Sequence, residues 1–112
     1  MKLITASIKP FKLDDVRTAL SRLGRIITIS DVKTHSPPRA GGGAGGSWSS
    51  EATTFVPKVK IEVVVPDEEL DKVLEVISNA AVTGHLGDGR IFVWSVERAV
   101  RISTGETEEA AL

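Results

Sequence analysis

The sequence predicts an α+β fold of the ferredoxin-like type, a four-stranded antiparallel sheet with two helices on one face. Three observations lead to this class. Apolar and polar residues alternate in several short segments, as they do in half-buried strands. Two other segments repeat apolar residues every three or four positions, as amphipathic helices do. Their order is strand, helix, strand, strand, helix, strand, and the length of 112 residues favours one domain, residues 1–112.

The first half of the chain predicts a strand, a helix and a strand. Residues 2–9 alternate and place three apolar side chains on one face, Ile4, Ala6 and Ile8. Residues 13–24 have helical spacing, with a stripe of Leu13, Val16, Leu20 and Leu23. Gly24 suits the C-cap of this helix. Residues 25–33 are rich in β-branched side chains and predict the second strand.

The second half repeats this pattern. Residues 58–65 alternate, with four apolar side chains facing inward, Val59, Ile61, Val63 and Val65. Residues 67–81 predict the second helix, with Asp67 as its N-cap and a stripe of Leu70, Val73, Leu74 and Ile77. Residues 87–96 predict a turn and the fourth strand. The C-terminal tail, residues 103–112, is partly charged and is expected to fray.

One face of the predicted sheet has no helix to cover it. This open face would carry four apolar side chains, Leu3, Val64, Phe92 and Trp94. An exposed apolar face on a small protein favours association, most simply with another copy of the same chain.

Composition argues against several classes of protein. The chain has no cysteine, which excludes disulfides and thiolate chemistry, and its net charge of −1 provides no basic face for nucleic acid. It has no apolar run of ~18 residues and no secretory signal. Two histidines without cysteine are a weak basis for zinc, and no catalytic triad or carboxylate pair is evident. We therefore expect a cytoplasmic protein that is not an enzyme and has no metal site.

The strongest local motif is Gly87-Asp88-Gly89-Arg90, just before the fourth strand. Glycines let the backbone approach a ligand, and successive N–H groups can form a nest for an anion. Arg90 could clamp a phosphate with two hydrogen bonds. An ordinary Asp-Gly turn into a strand is the commoner explanation of such a pattern.

Three isolated polar residues are further candidates, although each is also typical of a solvated surface. Lys58 could bind a small carboxylate. Glu62 could accept a hydrogen bond from a ribose hydroxyl or an adenine amine. Arg101 could be a second phosphate clamp.

Residues 34–55 interrupt the regular pattern and hold five of the ten glycines. The segment is either a linker or a loop that waits for a ligand or a partner. Trp48, beside Ser49 and Ser50, is either a docking anchor or an inward-folded loop tip.

The chain resembles the PII nitrogen-regulatory signal-transduction proteins in four stretches, "MKLITASIKPFKLDDVRTALSRLG", "FVPKVKIEVVVPDEELDKVLEVI", "TGHLGDGRIFVWSVERAVRI" and "STGETEEAAL". The resemblance covers nearly the whole chain outside residues 34–54. The stretches "IKPFKLDDVR" and "TGHLGDGRIFVW" are the most specific to this family.

The resemblance implies a compact homotrimer with ATP or ADP in the clefts between subunits, and Mg²⁺ could accompany the nucleotide. The phosphates would be held by Gly87, Asp88, Gly89, Arg90 and Arg101, and the base and ribose by Thr28, Glu62 and Val64. Residues 34–55 would be the mobile T-loop through which the family controls transporters and enzymes. Lys58 would meet the carboxylate of 2-oxoglutarate, and Arg39 is a second candidate for effector binding.

The departures from the family pattern cluster in the loop. Thr34 stands where Gly is usual, and Ala40 follows Arg39 where the family has Gln. The chain contains no Gln, which argues against 2-oxoglutarate sensing, and no Tyr, which excludes uridylylation of the usual tyrosine. Ser49 or Ser50 could be phosphorylated instead. Ser103 replaces a second phosphate-binding arginine.

Two functions follow from these observations. The first is a nucleotide-binding regulator that controls a transporter or an enzyme through the T-loop, in nitrogen and carbon regulation. The second is a PII-like sensor that does not respond to 2-oxoglutarate. It would read bicarbonate, a metal or AMP, and regulate a membrane pump or transporter.

Overall fold

The computed structural model describes residues 1–35 and 55–112. These form four strands, β1 (Lys2–Ile8), β2 (Thr28–His35), β3 (Phe55–Val65) and β4 (Gly89–Ser95), and two α-helices, α1 (Leu13–Ser21) and α2 (Leu70–Ala81). The sheet has the order β2-β3-β1-β4, and every neighbouring pair is antiparallel. The predicted ferredoxin-like α+β fold is confirmed.

The core lies between the sheet and the two helices. The alternation predicted for β1 and β3 is confirmed, because the inward residues of both strands are buried. Both helices contribute their predicted stripes, with Val16, Leu20, Val73 and Ile77 fully buried. Leu13, Leu23, Leu70 and Leu74 pack against this core from its margins.

The hairpin of β2 and β3 is longer than the sequence predicts. β2 continues to His35, and β3 begins at Phe55, three residues before the expected start. β1 pairs with β3 only from Val59 onward, so the four outermost β2–β3 pairs project beyond the sheet as a two-stranded ribbon. Pro57 is tolerated there because β3 has a neighbour on one side only at this point.

The helix ends differ from the predicted caps. Asp67 is not the N-cap of α2, because it begins a 3₁₀ turn, Asp67–Glu69, and makes no capping hydrogen bond. Its carboxylate instead accepts a hydrogen bond from the Met1 amine at 2.8 Å. Gly24 lies beyond the C-cap of α1, which is Arg22, and its φ of +68° turns the chain away from the helix.

The C-terminal tail does not fray as expected. It folds back on residues 98–101, where the Glu108 N–H donates to the Ala99 carbonyl at 2.8 Å. Arg98 donates to the Glu108 carboxylate at 2.8 Å. A 3₁₀ turn, Glu108–Ala111, completes the segment. The tail is polar, which is why fraying was expected, but the Arg98–Glu108 pair anchors it to the preceding segment.

The sheet has the predicted open face. Phe92 and Trp94 are 54% and 62% exposed in the single chain. Leu3 on β1 lies between Val64 on β3 and Trp94 on β4, so the apolar side chains are contiguous. Within the described part of the chain, no helix has the length and apolar character needed to cross a membrane.

Candidate functional site

The candidate phosphate loop, residues 83–88, connects α2 to β4 and is organised by the Asp88 carboxylate. This carboxylate accepts hydrogen bonds from the Thr83 hydroxyl, from the Thr83 N–H at 2.9 Å and from the Gly84 N–H at 3.1 Å. The Thr83 hydroxyl oxygen in turn accepts from the His85 N–H at 3.2 Å. The loop is therefore closed by its own polar side chains.

Two lysines from the sheet converge on this loop. The ammonium of Lys9, just after β1, lies 3.1 Å from Asp88 Oδ1 and donates to the Thr83 hydroxyl at 3.2 Å. The ammonium of Lys58, on β3, donates to the carbonyl oxygen of Gly87. Lys9 and Lys58 thus hold the loop against the end of the sheet from two neighbouring strands.

Lys58 is the one buried charged residue of the described chain, at 8% exposure. This differs from the solvated strand position that alternation alone predicts. No described carboxylate lies within ion-pairing distance of its ammonium, which donates to the neutral carbonyl of Gly87. Because buried charges are normally paired, this lysine is suited to an anionic ligand.

Gly89 is required by the close contact of β4 with β1. Its φ is +110°, and a Cβ at this position would lie 1.7 Å from the Ser7 carbonyl oxygen. Gly87 also has a left-handed φ, +85°, and a Cβ there would face the Lys58 and Lys9 side chains at 3.5 and 3.7 Å. The two glycines of the motif therefore serve two purposes, strand contact and room beside the lysines.

Hydrogen bonds from Thr83 hold the pKa of the Asp88 carboxyl well below its ordinary value of 3.8, and Lys9 and Gly84 add to this effect. The folded state thus favours the ionised form of the Asp88 carboxyl. The resulting stabilisation is present above pH ~4 and is lost as the pH falls below the unfolded pKa toward the lower folded pKa.

We expect Asp88→Asn to lower the free energy of unfolding most at neutral pH, with the difference from wild type shrinking as the pH falls below 4. The amide keeps the size but loses the charge that faces Lys9. Urea unfolding at pH 7, 4 and 2.5 measures this. Asp14→Asn is the control, because Asp14 is 86% exposed. A deficit of Asp88→Asn that stays constant over this range would contradict the assignment.

A second cluster, the base cavity, lies at the other end of β3 and has a volume of about 360 Å³. All three residues predicted to surround a base and ribose line it, Thr28, Glu62 and Val64. Thr28 faces Glu62 directly across the β2–β3 pair. The remaining wall is largely apolar and includes Leu3, Ile26, Val63, Ala111 and Leu112.

Arg101 is tied to the C-terminal tail. Its guanidinium donates to the carbonyl oxygens of Ala111 at 3.4 Å and Leu112 at 2.9 Å. These two residues line the base cavity, so Arg101 is linked to that cluster and not to the phosphate loop of its own chain.

The two clusters are separate within one chain. Gly89 faces Ile8, and Ile8 faces Val59, whereas Glu62 lies three residues further along β3. With strands ~4.8 Å apart and ~3.3 Å per residue, about 14 Å separates the two clusters. Arg90 lies with the phosphate loop, at the exposed start of β4, where it lines a further cavity of about 360 Å³ against the end of α2.

Several predicted residues cannot be placed. Arg39, Trp48, Ser49 and Ser50 lie outside the described residues, as does most of the predicted T-loop. Among the described residues, no three His, Asp or Glu side chains are grouped so that they could hold a metal ion.

Sequence reasoning missed three polar residues of these clusters, Lys9, Thr83 and Arg25. Lys9 and Thr83 stand inside the stretches "IKPFK" and "TGHLGDGR", so their motifs were visible, but their contact joins residues 74 positions apart. Arg25 lines the base cavity, and nothing in its local sequence indicates this.

The family model for "Nitrogen regulatory protein P-II" matches residues 1–106. The nitrogen regulatory protein GlnK of Escherichia coli strain K12 is 49% identical over 114 residues, with complete coverage of both chains. Two P-II proteins, from Haemophilus influenzae and Rhizobium etli, are 50% and 45% identical, again with complete coverage. The chain belongs to the nitrogen regulatory protein P-II family. The resemblance drawn from the sequence is confirmed, and the relatives it is similar to are nitrogen regulatory proteins by name.

Proposed function

We propose that this P-II protein is a nucleotide-binding signal-transduction regulator. It binds ATP or ADP between the subunits of a homotrimer and controls a protein target, a membrane transporter or a metabolic enzyme, through residues 34–55. The observation that carries the proposal is the convergence of Lys9 and Lys58 on the phosphate loop, beside two glycines of left-handed backbone.

The charge at this loop supports a phosphate ligand. Lys9 and Lys58 bring two cations to it, and Arg90 follows it in the sequence, whereas the Asp88 carboxylate pairs with Lys9. Such an excess of positive charge attracts a polyphosphate. Mg²⁺, where present, would be held chiefly by phosphate oxygens and water.

The base cavity supports a nucleoside. Its apolar wall suits the faces of a purine, while the Thr28 hydroxyl and the Glu62 carboxylate offer polar contacts to its edge or to the ribose. Walls of this kind, with a few polar groups, are typical of small-molecule sites.

The separation of the two clusters supports a site shared between copies. Both border the open face of the sheet, which no element of residues 1–35 and 55–112 covers. Packing of copies on that face would bury Phe92 and Trp94 and bring the base cavity of one copy toward the phosphate loop of another.

The β2–β3 ribbon could couple ligand binding at residues 83–88 to the conformation of residues 34–55. Lys58 faces Val32 at the base of the ribbon and bonds the phosphate loop through Gly87. A ligand that recruits Lys58 would change the contact of the ribbon with the loop at residues 83–88. Ligand state would thereby select among conformations of residues 34–55, and so among partners.

We expect Arg90→Ala to weaken ATP binding by about ten- to a hundredfold, because a charge-assisted contact to phosphate is lost. AMP binding should fall less. Calorimetric titration measures both, with Arg22→Ala, an exposed arginine after α1, as the matched control. Unchanged ATP affinity in Arg90→Ala would remove Arg90 from the site, and a wild-type protein that binds no nucleotide would overturn the proposal.

A second function is favoured by the composition of the chain. It contains neither Gln nor Tyr, so a sensor indifferent to 2-oxoglutarate is the alternative. The cation at Lys58 would then receive bicarbonate, a phosphate of AMP or another small anion, or the site would respond to a metal. The target would be a membrane pump or transporter. Calorimetric titration of the wild-type protein with ATP, in the presence and absence of 2-oxoglutarate, decides between the two functions. 2-Oxoglutarate should tighten ATP binding only if the first function is correct.

A further inference from the structure

The C-terminal tail changes direction sharply at Glu108. Residues 99–108 form a short antiparallel hairpin, which is closed by the Glu108 N–H donating to the Ala99 carbonyl at 2.8 Å. Beyond this point, the 3₁₀ turn Glu108–Ala111 brings the end of the tail back to the side chain of Arg101.

The backbone of Glu108 lies in the left-handed region. Its φ is +58°, and it is the one non-glycine residue with a positive φ in residues 1–35 and 55–112. An L-residue is strained in this region because its Cβ comes too close to the following carbonyl oxygen. Strain of this kind persists only where the surrounding structure imposes it, and it clusters at functional sites. The outlier therefore directs attention to what the turn places next to it.

The turn directs the end of the tail to the guanidinium of Arg101. Its Nε and Nη2 donate to the carbonyl oxygens of Ala111 at 3.4 Å and Leu112 at 2.9 Å, so the tail holds one edge of the planar group. Nη1 donates to no described residue and is accessible to solvent, and the Arg101 side chain is 41% exposed. The second edge of the guanidinium is therefore available to an anion.

The held guanidinium belongs to the same cluster as the base cavity. Ala111 and Leu112 orient Arg101 and also line that cavity. An arginine that is already fixed along one edge can offer its other edge to a phosphate while losing little further rotamer freedom. The tail thus places a pre-oriented phosphate-binding group next to the cavity for the nucleoside.

We infer that Glu108 is a positioning residue of the nucleotide site. Its left-handed backbone directs the tail to Arg101, and the tail holds the guanidinium in the orientation that binds the phosphates of the nucleotide. This inference rests on the proposed nucleotide binding and extends it to a residue that acts through Arg101. The alternative role for the tail is that of a wall of the base cavity alone.

The test compares two backbone preferences at one position. Glu108→Val disfavours the left-handed conformation, whereas Glu108→Gly adopts it freely. Both variants lose the ion pair with Arg98, so the difference between them reports the backbone. Glu97→Val is the matched control, because Glu97 is an exposed glutamate that lies outside the tail and has no positive φ.

Calorimetric titration measures the affinity of each variant for ATP and for AMP. The same titrations of Arg101→Met, and of Glu108→Val combined with Arg101→Met, complete a double-mutant cycle. The cycle reports whether Glu108 acts through Arg101. The comparison of ATP with AMP separates a loss at the phosphates from a loss at the base, because the base is common to both ligands.

We expect Glu108→Val to weaken ATP binding by about three- to tenfold, the scale of the rotamer freedom that an unheld arginine loses on binding. AMP binding should fall less, and Glu108→Gly should recover most of the lost ATP affinity. Glu97→Val should bind both nucleotides within about twofold of wild type. In the Arg101→Met background, Glu108→Val should change ATP affinity by less than about twofold. Should Glu108→Val fail to fold, Glu108→Ala carries the same comparison.

Four outcomes would overturn the inference. Wild-type ATP affinity in Glu108→Val or in Arg101→Met would show that no phosphate-binding group is positioned here. Equal losses for ATP and AMP would show that the tail is only a wall of the base cavity. A full loss in the Arg101→Met background would show that Glu108 acts without Arg101. A loss in Glu108→Gly as large as in Glu108→Val would show that the left-handed backbone is not the cause. A wild-type protein that binds neither nucleotide would instead overturn the proposed function itself.

Discussion

Gly89→Ala should be among the most destabilising single substitutions in this chain, with a loss of about 3 kcal/mol or more in the free energy of unfolding. The added Cβ would lie 1.7 Å from the Ser7 carbonyl oxygen and 2.8 Å from the Ser7 carbonyl carbon. Both are backbone atoms of β1, so no side chain can rotate out of the way. β4 would have to move away from β1, and alanine would also be strained at a φ of +110°.

Gly84→Ala separates these two costs. Gly84 has a φ of +83°, but a Cβ there meets nothing within 4 Å. Only the left-handed backbone cost remains, about 1–2 kcal/mol. Urea unfolding of both variants, at one protein concentration so that the proposed association affects both equally, measures the difference. Equal losses in the two variants would show that β4 and β1 are not as close at Gly89 as the structure has them.

Ile61→Ala should also cost about 2–5 kcal/mol. Ile61 is fully buried at the centre of the sheet, between Ala6 on β1 and Ile29 on β2. Deleting its side chain leaves a cavity that the flanking strands and the helices above cannot close without breaking their own contacts.

Ile29→Ala is the matched control for Ile61→Ala. The two isoleucines face each other across β2 and β3, but Ile29 is 41% exposed because β2 is an edge strand. Its truncation should cost about 1 kcal/mol in the unassociated chain. Chemical unfolding followed by tryptophan fluorescence tests the pair. A similar loss for both would mean that Ile29 is covered in solution.

The faces of the strands and helices could be predicted from the sequence because their periods are local. Ile4, Ala6 and Ile8 alternate, and the inward side follows from their spacing alone. The same holds for Val73 and Ile77 on α2. The limits of the elements were less predictable. β3 begins at Phe55 because pairing with β2 continues past Pro57, and pairing is a property of two segments.

The positions of the charged residues in the candidate site could be predicted from the sequence, but their surroundings could not. The "GDGR" motif marks the candidate phosphate loop, and alternation placed Lys58 and Glu62 on one face of β3. Alternation does not reveal that Lys58 is buried, because the cover comes from the loop at Gly87, 29 residues away. It also does not reveal the tail contacts of Arg101, which join residues ten and eleven positions apart through a turn.

The sequence by itself determined the fold class, the core stripes and membership of the P-II family, because each depends on residue types at short, fixed spacings. Only the tertiary structure decided that Lys9 meets Asp88, that Lys58 is enclosed and that the tail carbonyls hold Arg101. The environment of a charge is set by whichever distant segments pack around it. No local pattern encodes those segments, and the chemistry of the candidate site depends on them.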